Sequence, residues 1–86
     1  MSDSADWYVY LLRCADGSLY TGVARDLSRR VRQHNGELVG GAAYTRARRP
    51  VELVWSEGCE DHSAAQKREA EIKGFERQQK LALIRR

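Results

Sequence analysis

Trp7-Tyr8-Val9-Tyr10-Leu11-Leu12-Arg13-Cys14 is an aromatic and branched run that stays apolar on both alternating faces until Arg13. A strand of that kind is covered on both sides and belongs in the middle of a sheet. Ala15-Asp16-Gly17 then reads as a three-residue hairpin loop, a type I turn closing with Gly17 in the left-handed region, and Ser18 to Val23 returns as the second strand. Pairing Cys14 with Ser18 sets Leu12 opposite Tyr20 and Tyr10 opposite Gly22, so both tyrosines share one face and Gly22 leaves space beside Tyr10. A two-residue loop at Asp16-Gly17 would shift the pairing by one and send the tyrosines to opposite faces.

Beyond the hairpin, Asp26 is an N-cap, and Leu27, Arg30, Val31 and His34 follow at helical spacing until Asn35-Gly36 stops the helix. Two of those four stripe positions are polar, which aims Arg30 and His34 into a cleft at the edge of the core. A snorkelling Arg30 and a hydrogen-bonded His34 are an equally weighted alternative. Residues 36–50 combine glycines, Arg46, Arg48, Arg49 and the sole proline, and are expected to form a mobile basic loop. Val51 to Glu57 alternates Val51, Leu53 and Trp55 with Glu52, Val54 and Ser56, a third strand along the free edge of the first. The strand-helix-strand crossover that leads to it joins parallel strands, which gives an antiparallel sheet in the order 2-1-3. Ser63 opens a capping-box pattern with Gln66, and the next helix runs to about Lys73 with Ala65, Glu69 and Ile72 on one stripe. Glu69 on that stripe is a second polar anomaly, although Lys73 stands at i+4 to pair with it. Gly74 breaks the helix, and residues 76–86 form a last one in which Leu81, Leu83 and Ile84 offer a docking patch for a protein partner. The expected fold is α/β of the α+β kind, with a three-stranded antiparallel sheet flanked by helices in the chain order β-β-α-β-α-α.

Eighty-six residues are enough for one core, so 1–86 is read as a single domain with a disordered tail over 1–6. With 42% apolar and 31% charged residues, and no apolar run of membrane-spanning length, the chain is expected to be soluble. The first six residues are acidic and polar, unlike a secretory signal, so the cytoplasm is the expected compartment. Cys14 and Cys59 are read as thiols that pack like small apolar groups. Cys59 and His62 have metal-ligand spacing, but without a paired-cysteine signature they read as a surface turn rather than a zinc site.

Charge is lopsided. Net charge is +3, yet between Arg25 and Arg49 seven arginines face only Asp26 and Glu37, a local +5. Arginine suits bidentate contact with phosphate oxygens, so Arg29, Arg32, Arg46, Arg48 and Arg49 are candidate nucleic-acid contacts, with Tyr44 stacking on a base. Tyr10, Tyr20, Arg30 and His34, with a carboxylate at Glu69, are the parts needed to move a proton, hold a phosphate and bind a divalent cation.

Taken together, Tyr8-Val9-Tyr10, Tyr20-Thr21-Gly22, Asp26 to His34, Tyr44 to Val51 and Lys67-Arg68-Glu69 ahead of Ile72-Lys73 resemble the GIY-YIG nuclease superfamily, in particular its short stand-alone bacterial branch. The resemblance covers nearly the whole chain. It implies a metal-dependent endonuclease fold related to the incision domain of bacterial excision repair and to phage homing endonucleases. It also implies Tyr20 as general base, Tyr10 as a second tyrosine lining the site, Arg30 as the phosphate-stabilising arginine, His34 at a position held by histidine or tyrosine, and Glu69 as ligand of one Mg²⁺ or Mn²⁺ ion. A free tyrosine titrates near pH 10, so the general-base role calls for positive charge nearby. Tyr8 stands where the motif has glycine and Thr21 where it has isoleucine. The late asparagine of larger members has no counterpart, since Asn35 lies elsewhere.

The expected activity is hydrolysis of phosphodiester bonds in DNA, in repair or recombination. Two other classes compete with it. A nucleic-acid-binding module on the same fold would bind with steep salt dependence and be indifferent to metal. A small adaptor would dock through the Leu81 to Ile84 patch and show no DNA affinity of its own.

Overall fold

A computed structural model of the chain describes residues 5–85. Strands β1 (Trp7–Arg13) and β2 (Leu19–Ala24) lead into helix α1 (Leu27–His34), the single turn α2 (Ala43–Arg46), strand β3 (Glu52–Cys59), and helices α3 (His62–Lys73) and α4 (Arg77–Ile84). Both neighbours of β1 are antiparallel to it, and the sheet order is β2-β1-β3 as expected.

The hairpin has the register that the three-residue loop dictates. Cys14 N donates to the Ser18 carbonyl at 2.9 Å, Leu12 pairs with Tyr20, and Tyr10 pairs with Gly22. Gly17 takes φ +86°, a conformation open to glycine at little steric cost. Gly22 is required for a different reason: a Cβ built on it would lie 2.5 Å from the Tyr10 hydroxyl oxygen. The tyrosine ring therefore occupies the space that a side chain at position 22 would need.

Because β1 is central, its alternate residues feed two cores. Tyr10, Leu12 and Cys14 pack with Ala24 and Val51 beneath Leu27 and Val31 of α1. On the other face Val9 and Leu11 pack with Ile72 of α3 and Leu83 of α4. Tyr10, Val9, Leu11, Leu12 and Ile72 are essentially sealed from water. Each contributes roughly 1.5–3 kcal/mol by burial.

Four sequence expectations need correction. The segment 36–50 contains an element, α2, and is tied down at both ends. The Asn35 amide donates to the Val51 carbonyl at 3.0 Å and accepts from Val51 N at 2.7 Å, while Arg49 Nε donates to the His34 carbonyl at 2.6 Å. Strand β3 does not alternate simply, because a register irregularity opposite Leu11 and Leu12 makes Val54 the extra residue between Leu53 and Trp55. Val54 and Trp55 then both pack on the second core, and Leu53 is left exposed. The N-cap of α3 is Asp61, whose carboxylate accepts from Ala64 N at 2.8 Å, so Ser63 lies inside the helix. The Leu81 to Ile84 patch is not a free docking face, since Leu83 is buried and Ile84 packs on the second core with Phe75.

The 1–6 tail and the 76–86 helix fall partly on residues 1–4 and 86, outside the described residues. Ala5 lies against Gly58, whose hypothetical Cβ would meet the Ala5 methyl at 2.7 Å.

Among the described residues, Thr21 Oγ1 is the one buried side-chain polar atom without a hydrogen-bond partner. Its strand position opposite Leu11 assigns it to the apolar second core. Burying an unpaired hydroxyl is unfavourable, so Thr21→Val is expected to stabilise the fold by about 1 kcal/mol. A urea titration should show a higher midpoint at unchanged slope. A lower midpoint would mean that the hydroxyl is satisfied in solution.

Candidate active site

Tyr10 and Tyr20, set on one face by the hairpin register, have ring centroids 6.5 Å apart. His34, from the last turn of α1, closes the triangle with centroids 6.0 Å from Tyr10 and 5.1 Å from Tyr20. Asp26 fixes the start of α1 by accepting from Arg29 N at 3.0 Å, which sets where Arg30 and His34 emerge.

His34 has no exposed surface. The Tyr10 hydroxyl lies 2.9 Å from Nε2, and Thr45 Oγ1 lies 2.8 Å from Nδ1. Thr45 donates its only hydroxyl proton to the Ala42 carbonyl at 3.0 Å, so it can only accept from the imidazole. The tautomer follows: Nδ1 carries the proton, and Nε2 accepts from Tyr10 O–H. A one-way relay therefore runs from Tyr10 through His34 and Thr45 to a backbone carbonyl. Burial lowers the imidazole to about 4, and the Arg30 and Arg49 cations push the same way, so His34 is neutral at physiological pH.

Burial also pushes the Tyr10 hydroxyl up to about 12, a rise that the adjacent Arg30 guanidinium partly offsets and that Tyr20 and Glu69 reinforce. Tyr10 is thus a committed donor, not a proton acceptor near neutrality. The sequence left open whether Arg30 and His34 would line a cleft or serve the core, and the outcome differs for the two. His34 is a sealed, hydrogen-bonded core residue. Arg30 is half-buried, its Nη1 donating to Gln33 Oε1 at 2.8 Å and to the Gly40 carbonyl at 2.7 Å. Two acceptors on one nitrogen fix the guanidinium plane and leave its other N–H groups for an anion.

Glu69 is on α3, which packs against both β1 and β2, and its charge is near enough to act on the Tyr10 hydroxyl. Its side chain is 22% exposed, with Oε2 3.2 Å from the Lys73 ammonium in the expected i+4 pair. Among the described residues no group of three or more His, Cys, Asp or Glu is placed to hold a metal ion. One carboxylate tied only to an exposed lysine suits a hard cation that keeps several waters and takes substrate oxygens, and such a pair opens at little cost.

The expected nucleic-acid contacts divide. Arg29 and Arg46 are exposed and make no ion pair or side-chain hydrogen bond among the described residues, whereas Arg32 pairs with Glu37 at 3.3 Å. Arg48 is committed to the fold: it pairs with Asp16 at 3.2 Å, donates to the Tyr44 carbonyl at 2.8 Å and lies 3.9 Å over the Tyr44 ring. Tyr44 is 39% exposed and leans over Tyr20 at 5.7 Å. The hydrogen bonds of Thr45 to His34, of Gln33 to Arg30 and of Arg48 to Asp16 were not read from the sequence. For Thr45 no local signal existed, because its role depends on a histidine eleven positions away.

Comparison with known proteins agrees with this fold. Residues 6–82 match the model of the GIY-YIG catalytic domain. A UPF0213 protein of Staphylococcus saprophyticus is 53% identical over 77 residues, covering 90% of this chain and 92% of its own length. One from Desulfotalea psychrophila is 46% identical over 84 residues, covering 98% and 76%. The solution structure of the UPF0213 protein from Bacillus halodurans aligns with a TM-score of 0.57 at 40% identity, covering 91% of this chain and 81% of that one. A protein from E. faecalis aligns with a TM-score of 0.59 at 39% identity, covering 93% and 83%. By its hairpin, its helix-borne arginine and histidine, and this match across almost its whole length, the chain belongs to the GIY-YIG family.

Proposed function

We propose that this protein is a divalent-metal-dependent endonuclease that hydrolyses phosphodiester bonds in DNA, acting in repair or recombination. The observation that carries the reading is the gathering of Tyr10, Tyr20 and His34 on one face of the hairpin, with the fixed guanidinium of Arg30 one turn before His34 on α1. No helix among the described residues is long and apolar enough to cross a membrane.

Within this reading the residues divide their work. Tyr20 is half-buried and its hydroxyl makes no hydrogen bond among the described residues; once its own proton has gone to solvent, a loss that a bound cation would favour, the phenolate oxygen would take the proton of the attacking water. Tyr10, already donating to His34, is a positioning residue that keeps the floor of the site polar and rigid. Arg30 offsets the charge that grows on the phosphoryl oxygens in the transition state. Glu69 would hold the Mg²⁺ or Mn²⁺ ion, which when bound polarises the scissile phosphate and steadies the leaving oxygen. His34 does not relay a proton from Tyr20, because both its nitrogens are already engaged.

The test is cleavage of single-stranded, duplex and branched DNA with Mg²⁺, Mn²⁺ or chelator. Cutting should require metal, and Tyr20→Phe should lower it roughly 10²-fold or more while the protein melts as the parent does. Equal traces of cutting in parent and variant would mark contamination and remove the catalytic role.

A further inference from the structure

Beside Arg30 runs a groove of about 280 Å³, lined by Trp7, Arg25, Arg29, Arg30 and Gln33 among others. Three of those side chains are arginines, and the only carboxylate on the wall is Asp26, which already caps α1. Trp7 presents the aromatic surface. His62 stacks on the indole with centroids 4.2 Å apart and planes 23° from parallel, which steadies the ring. The exposed Arg25 stands over the ring at 5.6 Å, well beyond the 3.9 Å of the close Arg48–Tyr44 stack.

We propose that this groove binds an unpaired nucleotide of a single DNA strand, with its base against Trp7 and its flanking phosphates on Arg25 and Arg29. The proposal rests on the nuclease reading, because Arg30 belongs both to this groove and to the candidate active site, so a strand lying here continues into it. Three features select a single strand. A basic groove interleaved with an aromatic platform is the recurring solution for unpaired nucleic acid. A space of this size accepts one nucleotide rather than a double helix, whose bases are already stacked on one another. The loose contact of Arg25 with Trp7 can also be exchanged: as a base slides onto the indole, the displaced guanidinium is free to meet the phosphate that the base brings with it.

The experiment measures anisotropy of a labelled thymidine dodecamer and of a blunt duplex of equal length, in chelator so that nothing is cut, over a range of salt. The parent should prefer the single strand. Trp7→Ala should weaken single-strand binding about tenfold and leave duplex binding nearly unchanged, while Trp7→Phe keeps the platform and most of the affinity. Arg25→Gln should lower the slope of log affinity against log salt by about 0.7. Circular dichroism and melting establish that each variant is folded. If Trp7→Ala does not fold, Trp7→Phe and Arg25→Gln still decide: loss of the preference in the former, or an unchanged salt slope in the latter, overturns the groove. Equal affinity of the parent for both DNAs overturns it as well. Parent protein that binds in the predicted pattern yet cuts no DNA with any metal sinks the nuclease reading and leaves the groove standing. Metal-dependent cutting by a Trp7→Ala protein of undiminished single-strand affinity does the reverse.

Discussion

Glu69→Gln is expected to lower metal-dependent cleavage about a thousandfold while leaving DNA binding in chelator unchanged. The glutamine keeps the shape of the side chain and can still meet Lys73, but it removes the charge that would hold a hard cation. Loss of a cation that neutralises developing phosphoryl charge raises the barrier by several kcal/mol, and 4 kcal/mol corresponds to roughly a thousandfold. Stability should barely move, since an i+4 pair whose lysine is exposed contributes only about 0.3–0.5 kcal/mol. Single-turnover kinetics over a titration of Mn²⁺ separate the possibilities. A variant that regains the parental rate at high Mn²⁺ has a weakened metal site, whereas one that cuts at the parental rate at every concentration shows that Glu69 is not the ligand.

The second large effect falls on stability. His34→Ala is expected to cost about 4 kcal/mol, because it opens a cavity in the first core, strands the Tyr10 hydroxyl without a partner and removes the donor that Thr45 Oγ1 accepts from. Against the typical total for a domain this is enough to leave the variant partly unfolded at moderate temperature. The same residue predicts a pH dependence whose sign is fixed. His34 titrates near 6.5 when unfolded and at about 4 when folded, so the unfolded chain takes up the proton first. The stabilisation is complete above about pH 6.5 and is lost as pH falls through the interval down to about 4, approaching 1.4 kcal/mol per pH unit and reaching about 3 kcal/mol in all. Asp16, held below the usual carboxylate range by its Ser18 hydrogen bonds with help from Arg48, acts in a lower window and does not mimic it. Urea midpoints at pH 7 and pH 4.5 should fall steeply for the parent and much less for a His34→Gln protein. Parallel curves would show that the imidazole is not buried neutral.

These two sites also show how far the sequence could be read. Glu69 and Arg30 stood out because charged residues occupied apolar stripe positions, and both are half-buried in the structure. The same signal at His34 was ambiguous. A polar residue on such a stripe lines a cleft or fills a core according to the partners it finds, and those lie 24 positions before it and 11 after it. The basic segment was legible in charge but not in use: Arg48 and Arg49 spend their guanidinium groups on Asp16, Tyr44 and the His34 carbonyl, while Arg29 and Arg46 stay exposed. Trp7 was read only as the start of a strand and Arg25 only as one of seven arginines, because nothing local shows that the start of the first strand faces the start of the first helix.

By itself, the sequence determined the central hairpin, its register and the strand order. Those depend on short-range rules: side chains alternate with period two, a three-residue Ala-Asp-Gly loop closes with glycine at positive φ, and a crossover helix has one favoured path. Only the tertiary structure decided the fate of the polar groups between elements, the irregularity at Val54 and the burial of the carboxy-terminal apolar patch. Each of these turns on desolvation and pairing between residues far apart in the chain, and such free energies have no counterpart in any local window.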